Sequence, residues 1–154
     1  GEDRVFRELK KGAPKAQPTS IITAVLRALN TLGARKIAVA TPYLDEINRR
    51  EADYMAATGL EIVNLQGLNL EKDSDMVRVT PAFIADFAQQ VDRPEADTLF
   101  ISCGALRSIE IVDALEDRLG KPVVCSNQAM VWDTLRRAGI DDAIAGYGTR
   151  PTKH

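Results

Sequence analysis

Residues 97–126 read "DTLFISCGALRSIEIVDALEDRLGKPVVCS". A short β-rich run over 97–102 stops at Cys103-Gly104, and a helical pattern covers 105–119. Ala105, Ile109, Val112 and Leu119 share one face of it, and Gly120 closes it. A second β-rich run, 122–126, follows at once. Two strands separated by one helix of this length imply a right-handed crossover between parallel neighbours.

Working outward, the same unit recurs. Residues 36–41 ("KIAVAT") and 60–65 ("LEIVNL") supply two further strands. The helix expected over 20–32 places Ile21, Val25, Ala28, Leu29 and Leu32 on one face, with Ser20 as N-cap and Gly33 as stop. A polar-faced helix over 44–58 ends at Gly59. Thr80 caps a helix that begins at Pro81, and Phe83, Phe87 and Val91 share its face. Asn127, as N-cap, opens a last helix running through Leu135 and ended by Gly139. The fold class expected is therefore α/β: a parallel four-stranded sheet with helices on both faces. Residues 66–80 form the longest loop and are expected to overhang the carboxyl edge of that sheet. Residues 1–11 already look like a helix in progress, and no Met precedes Gly1. The organisation expected is thus a helix and linker from a preceding lobe (1–19), an α/β lobe carrying Cys103 (20–140), and a segment returning toward the other lobe (141–154).

Composition narrows the chemistry. At 154 residues and 45% hydrophobic, the chain suits one domain with a substantial core. No apolar run approaches the roughly 18 residues of a membrane span, so no membrane partner is expected. A net charge of −2 gives no reason to expect nucleic acid, and the cluster Lys10, Lys11 and Lys15 sits among Glu2, Asp3 and Glu8 as a solvated face. Two cysteines cannot form a disulfide framework, which points to the cytoplasm. The one histidine is His154, the last residue, so Ser-His and Cys-His dyads have no internal base and zinc sites lack ligands. No metal and no cofactor is expected: G-x-G-x-x-G after a strand and G-x-x-x-x-G-K-[ST] are both missing. Proton chemistry falls to thiols, carboxylates, Lys or Tyr.

Ligands of open parallel sheets bind beyond the carboxyl ends of the strands. Thr41-Pro42-Tyr43, Gln66-Gly67, Cys103-Gly104 and Ser126-Asn127 stand there. If the helix starts directly after Cys103, unpaired N–H groups and the helix dipole favour its thiolate, and Gly104 admits an anion to the backbone. The competing reading is a small buried core residue. Cys125, behind Val123 and Val124, reads first as core and second as an auxiliary thiol. Tyr43 is either a phenol donating to an anion or a rim aromatic. Asp73 and Ser74 are either turn residues or loop residues reaching a ligand.

A family resemblance adds to these readings. The segments "ATPYLDEINRREADYM", "GLNLEKDSDMVRVTP", "LFISCGALRSIEIVDALEDRLGKPVVCSNQAMVWDTLRRAGI" and "GYG" resemble the aspartate/glutamate racemase superfamily. Within it they are similar to the maleate cis-trans isomerase and arylmalonate decarboxylase branch, and most of all to the ectoine-utilisation (EutA) subgroup. The resemblance implies one lobe of a two-lobed, pseudo-symmetric fold with a catalytic cysteine in each lobe and no cofactor. Cys103 falls on the second of these cysteines, and the first would lie in a Cys-Thr-Ser-like stretch upstream of "GEDRVF". It further implies that Tyr43 and the Gly104 N–H bind a substrate carboxylate, with Ser74 and Asn127 in the binding set. Ser74 stands where maleate isomerases carry asparagine and cannot copy an amide's reach.

The function this implies is a cofactor-independent racemase or isomerase of a small carboxylate, such as an ectoine-derived amino acid, working as a homo-oligomer. Two alternatives stand beside it. One is a cofactor-free decarboxylase. The other is a non-catalytic carboxylate-binding or interaction domain with the same fold.

Overall fold

Alternate residues of a strand face opposite ways, and in this chain both ways are apolar. The structure, a computed structural model, describes residues 2–142, 144 and 146–148. Its strands are β1 (Lys36–Thr41), β2 (Glu61–Gly67), β3 (Thr98–Ile101) and β4 (Val123–Cys125), all parallel and ordered β2-β1-β3-β4. Ile37, Val39, Phe100 and Val124 belong to one core layer, while Ala38, Ala40, Leu99, Ile101, Val123 and Cys125 belong to the other. The first layer is completed by α2 (Ile21–Leu32), α3 (Asp45–Ala56) and α7 (Ser126–Arg137), through Val25, Leu29, Met55 and Ala129. The second is completed by the short α4 (Asp73–Met76), α5 (Pro81–Val91) and α6 (Val112–Leu119), through Met76, Ile84, Val91 and Leu115. The expected α/β sheet with helices on both faces is present. The remaining helix, α1 (Glu2–Gly12), buries none of its residues.

Two caps are found as expected from the sequence. Ser20 Oγ accepts the Thr23 N–H at 3.1 Å, and Thr80 Oγ1 accepts the Phe83 N–H at 3.3 Å with Pro81 in the first turn. Gly33 closes α2 in the left-handed region (φ +77°), which a side chain would disfavour.

Four expectations need correction. The helix expected from residue 105 starts at Val112, after a 3₁₀ turn over Ser108–Ile111. The cause is a contact from α7: the Asn127 amide donates to the carbonyls of Gly104 and Leu106, at 3.1 and 3.4 Å, and so takes acceptors that an earlier helix would use. Asn127 accordingly lies inside α7 and is not its N-cap; that position belongs to Cys125, whose N–H donates to Gln128 Oε1 at 3.2 Å. On α5 the buried face is Ile84, Ala85, Ala88 and Val91, and Phe83 is 54% exposed. The loop over 66–80 is shorter than expected, because β2 continues to Gly67 and α4 interrupts the rest. His154 and most of 141–154 lie outside the described residues.

Candidate active site

Where β1 and β3 end, a cleft of about 890 Å³ opens against the start of α2 and one face of α3. Tyr43, Glu51, Ser102, Cys103 and Gly104 line it, with Ile21 and Val25 opposite. The position follows from topology, since β1 and β3 are adjacent and their carboxyl ends share one edge.

Cys103 has φ +97°, a conformation that L-residues rarely hold and that costs on the order of 1–3 kcal/mol. Its N–H donates to Ser126 Oγ at 3.1 Å, so the first residue of α7 fixes the strained turn. The Ala105 N–H donates to Cys103 Sγ at 3.3 Å, and Met76 Sδ lies 3.9 Å from the same sulfur. The thiol is only 6% exposed yet lies on the cleft. The dipole of a helix beginning at residue 105 is not what supports it, since α6 starts nine residues after Cys103; one backbone N–H does.

Tyr43 is held from behind. Its N–H donates to Thr41 Oγ1 at 3.2 Å, and its carbonyl accepts from the Asn48 amide at 3.3 Å. Thr41 in turn donates to Asn48 Oδ1 at 2.5 Å. Burial, before anything else, pushes the Tyr43 phenol well above its ordinary range. Hydrogen bonding and charge interaction with Cys103, and the charge of Glu51, push the same way, while the Ser102 hydroxyl opposes them. Tyr43 therefore stays a neutral O–H donor through the physiological range. Glu51 Oε1 accepts the Ser102 hydroxyl at 2.6 Å. Its Oε2 is buried and has no hydrogen-bond partner among the described residues. Burial raises the Glu51 carboxyl, and the Ser102 bond partly offsets that rise.

Gly67 is the neighbour that makes this arrangement fit. A Cβ built there would lie well inside van der Waals contact with the Tyr43 carbonyl oxygen and the Asn48 amide nitrogen. Gly67→Ala is expected to displace the Tyr43 turn and to cost about 1–3 kcal/mol. Chemical denaturation reads the loss; an unchanged midpoint would mean that the turn yields freely.

Of the residues singled out from sequence, Cys103, Gly104 and Tyr43 meet on the cleft. Asn127 braces it from behind, through the Gly104 and Leu106 carbonyls, and its Oδ1 would lie 3.2 Å from a Cβ added at Gly104. Ser74 is not brought in: it lies exposed on α4, and the residue of that helix that reaches Cys103 is Met76. Cys125 is fully buried in the α5/α6 layer, with its thiol pushed up chiefly by that burial, as a core residue would be. Both cysteines are free. Glu51 and Ser102 were missed, and Ser126, placed at the strand ends from sequence, was not assigned its bond from the Cys103 N–H. Asn48, Glu51 and Met55 recur at helical spacing on α3, and two polar members in a stripe ending in a fully buried Met were the available signal.

Comparison with known proteins places the fold. The family model described as arylmalonate decarboxylase matches residues 3–150. Arylmalonate decarboxylase of Bordetella bronchiseptica is 37% identical over 133 residues, spanning 84% of this chain and 55% of that protein. A crystal structure of arylmalonate decarboxylase superposes with a TM-score of 0.77 at 36% identity, over 84% of this chain and 58% of that one. Maleate cis-trans isomerase of Nocardia farcinica superposes with a TM-score of 0.90 at 25% identity, over 96% of this chain and 60% of that one. A C-to-S mutant of that isomerase carries a covalently bound succinylcysteine intermediate. The chain thus spans between half and three fifths of the length of these relatives.

Proposed function

The chain belongs to the arylmalonate decarboxylase family, and from that premise we propose that it supplies one side of the active site of a cofactor-independent racemase or isomerase of small carboxylates. The observation that carries the reading is Cys103: a strained cysteine, fixed by Ser126 and hydrogen-bonded at sulfur by the Ala105 N–H, beside a half-buried phenol on a cleft. A core cysteine needs none of these features.

In this reading a substrate carboxylate binds the Gly104 N–H and the Tyr43 O–H, both of which strengthen as charge moves onto the carboxylate oxygens. The Cys103 thiolate takes the proton α to that carboxylate, and an opposing thiol, supplied by residues outside this chain, delivers one to the other face. Residues 1–19 then lead in from that other lobe and 20–140 form the Cys103 lobe, while most of the segment 141–154 lies outside the described residues. The uncovered apolar residues Val5 and Leu9 of α1, 56% and 52% exposed, support such a neighbour. The substrate we favour is a small amino acid, such as one derived from ectoine, handled in the cytoplasm by a homo-oligomer.

The 37% identity to a decarboxylase favours one second reading, in which Cys103 protonates the carbanion left by loss of carbon dioxide. Incubating the complete protein in D₂O with small amino and dicarboxylic acids separates the two. The expected result is deuterium at the α-carbon with inverted product and no carbon dioxide. Carbon dioxide release from a malonate-type diacid would establish the second reading, and binding without exchange or release would leave only a carboxylate-binding domain.

A further inference from the structure

The cleft holds a carboxyl group that no lysine or arginine among the described residues is paired with. Glu51 lies on α3 and lines the cleft together with Ser102 and Cys103. Its Oε1 accepts the Ser102 hydroxyl at 2.6 Å, while Oε2 is buried and has no hydrogen-bond partner among the described residues. Native proteins leave few buried polar atoms unsatisfied, and a buried charge costs most when it is unpaired. Burial accordingly raises the Glu51 carboxyl, and the Ser102 bond offsets only part of that rise.

We propose that Glu51 is a specificity residue, forming a subsite that takes an ammonium group of the substrate and turns away a second carboxylate. The inference rests on the reading of the cleft as a site for a small carboxylate. In that reading the α-carbon stands at Cys103, with its carboxylate on Gly104 and Tyr43. Ser102 immediately precedes Cys103, so the Glu51–Ser102 pair adjoins the reacting carbon and is placed for another substituent on it. An ammonium there supplies both the donors and the charge that Glu51 lacks, and charge-assisted hydrogen bonds are the strong ones. The carboxylate charge is shared by both oxygens, so a cation on the cleft side of the group neutralises it whichever oxygen it touches. A second carboxylate would instead set two like charges side by side where water screens them poorly. The bond to Ser102 fixes the carboxyl before any ligand arrives, which lowers the cost of ordering it on binding.

The other charges facing the cleft leave this role to Glu51. Arg50 is the one cation among the described lining residues, and it is paired with Glu46 at 2.6 Å and largely in water. Glu2 accepts the hydroxyls of Ser20 and Thr23 and, at 3.3 Å, that of Tyr54, so both of its oxygens are satisfied. Asp3 lines the cleft from the start of α1.

The test uses three ligands that carry a methyl group and a carboxylate on one carbon and differ only in its third substituent. Alanine carries an ammonium there, lactate a hydroxyl, and methylmalonate a second carboxylate. Binding of each to the complete protein is read by equilibrium dialysis at about pH 7, where the ammonium and the carboxylates of the ligands are charged. Alanine and lactate are supplied as racemates, so that inversion at the α-carbon leaves the ligand unchanged. The wild type is expected to bind alanine about ten- to hundredfold more tightly than lactate, as a hydrogen bond to a charged group allows. Methylmalonate is expected to bind more weakly than lactate. Glu51→Gln keeps an acceptor for Ser102 but no charge. It is expected to bring alanine down to the level of lactate, to leave lactate unchanged and to strengthen methylmalonate. Ser102→Ala keeps the charge and is expected to keep the wild-type order. Far-UV circular dichroism establishes that the variants are folded, and the wild-type order tests the subsite without them. If lactate binds but alanine binds no more tightly, or if Glu51→Gln retains the preference, the subsite is overturned while the carboxylate reading stands. Failure of all three ligands to bind would overturn the carboxylate reading itself, and the subsite with it.

Discussion

Cys103→Ser is expected to lower kcat/KM of the complete protein by at least about 10³-fold while leaving its unfolding midpoint nearly unchanged. The two halves of this expectation have separate causes. Activity depends on a group that can give and take a proton, and a thiol does so far more readily than an aliphatic hydroxyl. Stability depends on the backbone of residue 103, whose N–H bond to Ser126 and φ of +97° both survive the exchange of sulfur for oxygen. The side chain gives up only its contact with Met76 and lengthens its bond from the Ala105 N–H. Steady-state kinetics and thermal denaturation on the same preparation read both. Near-normal turnover in the variant would remove Cys103 from the chemistry and assign the reaction to another group of the site. A collapse of the midpoint would instead assign the cysteine to the core.

How much of this was legible beforehand depended on whether the deciding contacts were local. The strands of "KIAVAT" and "DTLFIS" and the caps Ser20 and Thr80 are written in consecutive residues, and they appear within a residue or two of expectation. The parallel pairing followed from the crossover lengths alone. The start of α6 was not legible, because it is moved by an amide 23 residues downstream, Asn127, which takes the Gly104 and Leu106 carbonyls. In the site, Cys103, Gly104 and Tyr43 were visible because they follow strands, and strand ends converge at one edge. Glu51 was hidden inside a helix that reads as solvated on its polar composition. Only the packing of α3 against the sheet shows that its carboxyl points to the cleft rather than to water. The position of Ser74 was hidden for a related reason: α4 turns Met76 inward and leaves Ser74 exposed.

Asp133→Ala is expected to cost about 3 kcal/mol of stability and to loosen both walls of the cleft together. Asp133 is fully buried on α7, and its carboxylate receives Arg27 from α2, Arg137 at 2.7 Å from its own helix, and the Thr19 hydroxyl at the entry to α2. Arg27 also lies over the Trp132 ring, 5.8 Å from its centroid. One carboxylate therefore fixes α2 to α7. On α2 it fixes Ile21 and Val25 of the far wall; on α7 it fixes Ser126 and Asn127, which hold the Cys103-Gly104 turn. Breaking a buried ion pair usually costs about 3–5 kcal/mol, because a charge is stranded. Here the side chain of Arg27 is 45% exposed and that of Arg137 22% exposed, so both can turn to water, which places the loss at the low end of that range. The converse substitution, Arg27→Ala, leaves Asp133 with Arg137 and Thr19 and is expected to cost less. Urea denaturation of the two variants, read beside the alkylation rate of Cys103, tests the coupling directly. A stability loss in Asp133→Ala without a change in Cys103 reactivity would mean that the clamp holds the fold but not the thiol, and that Ser126 alone keeps the strained turn in place.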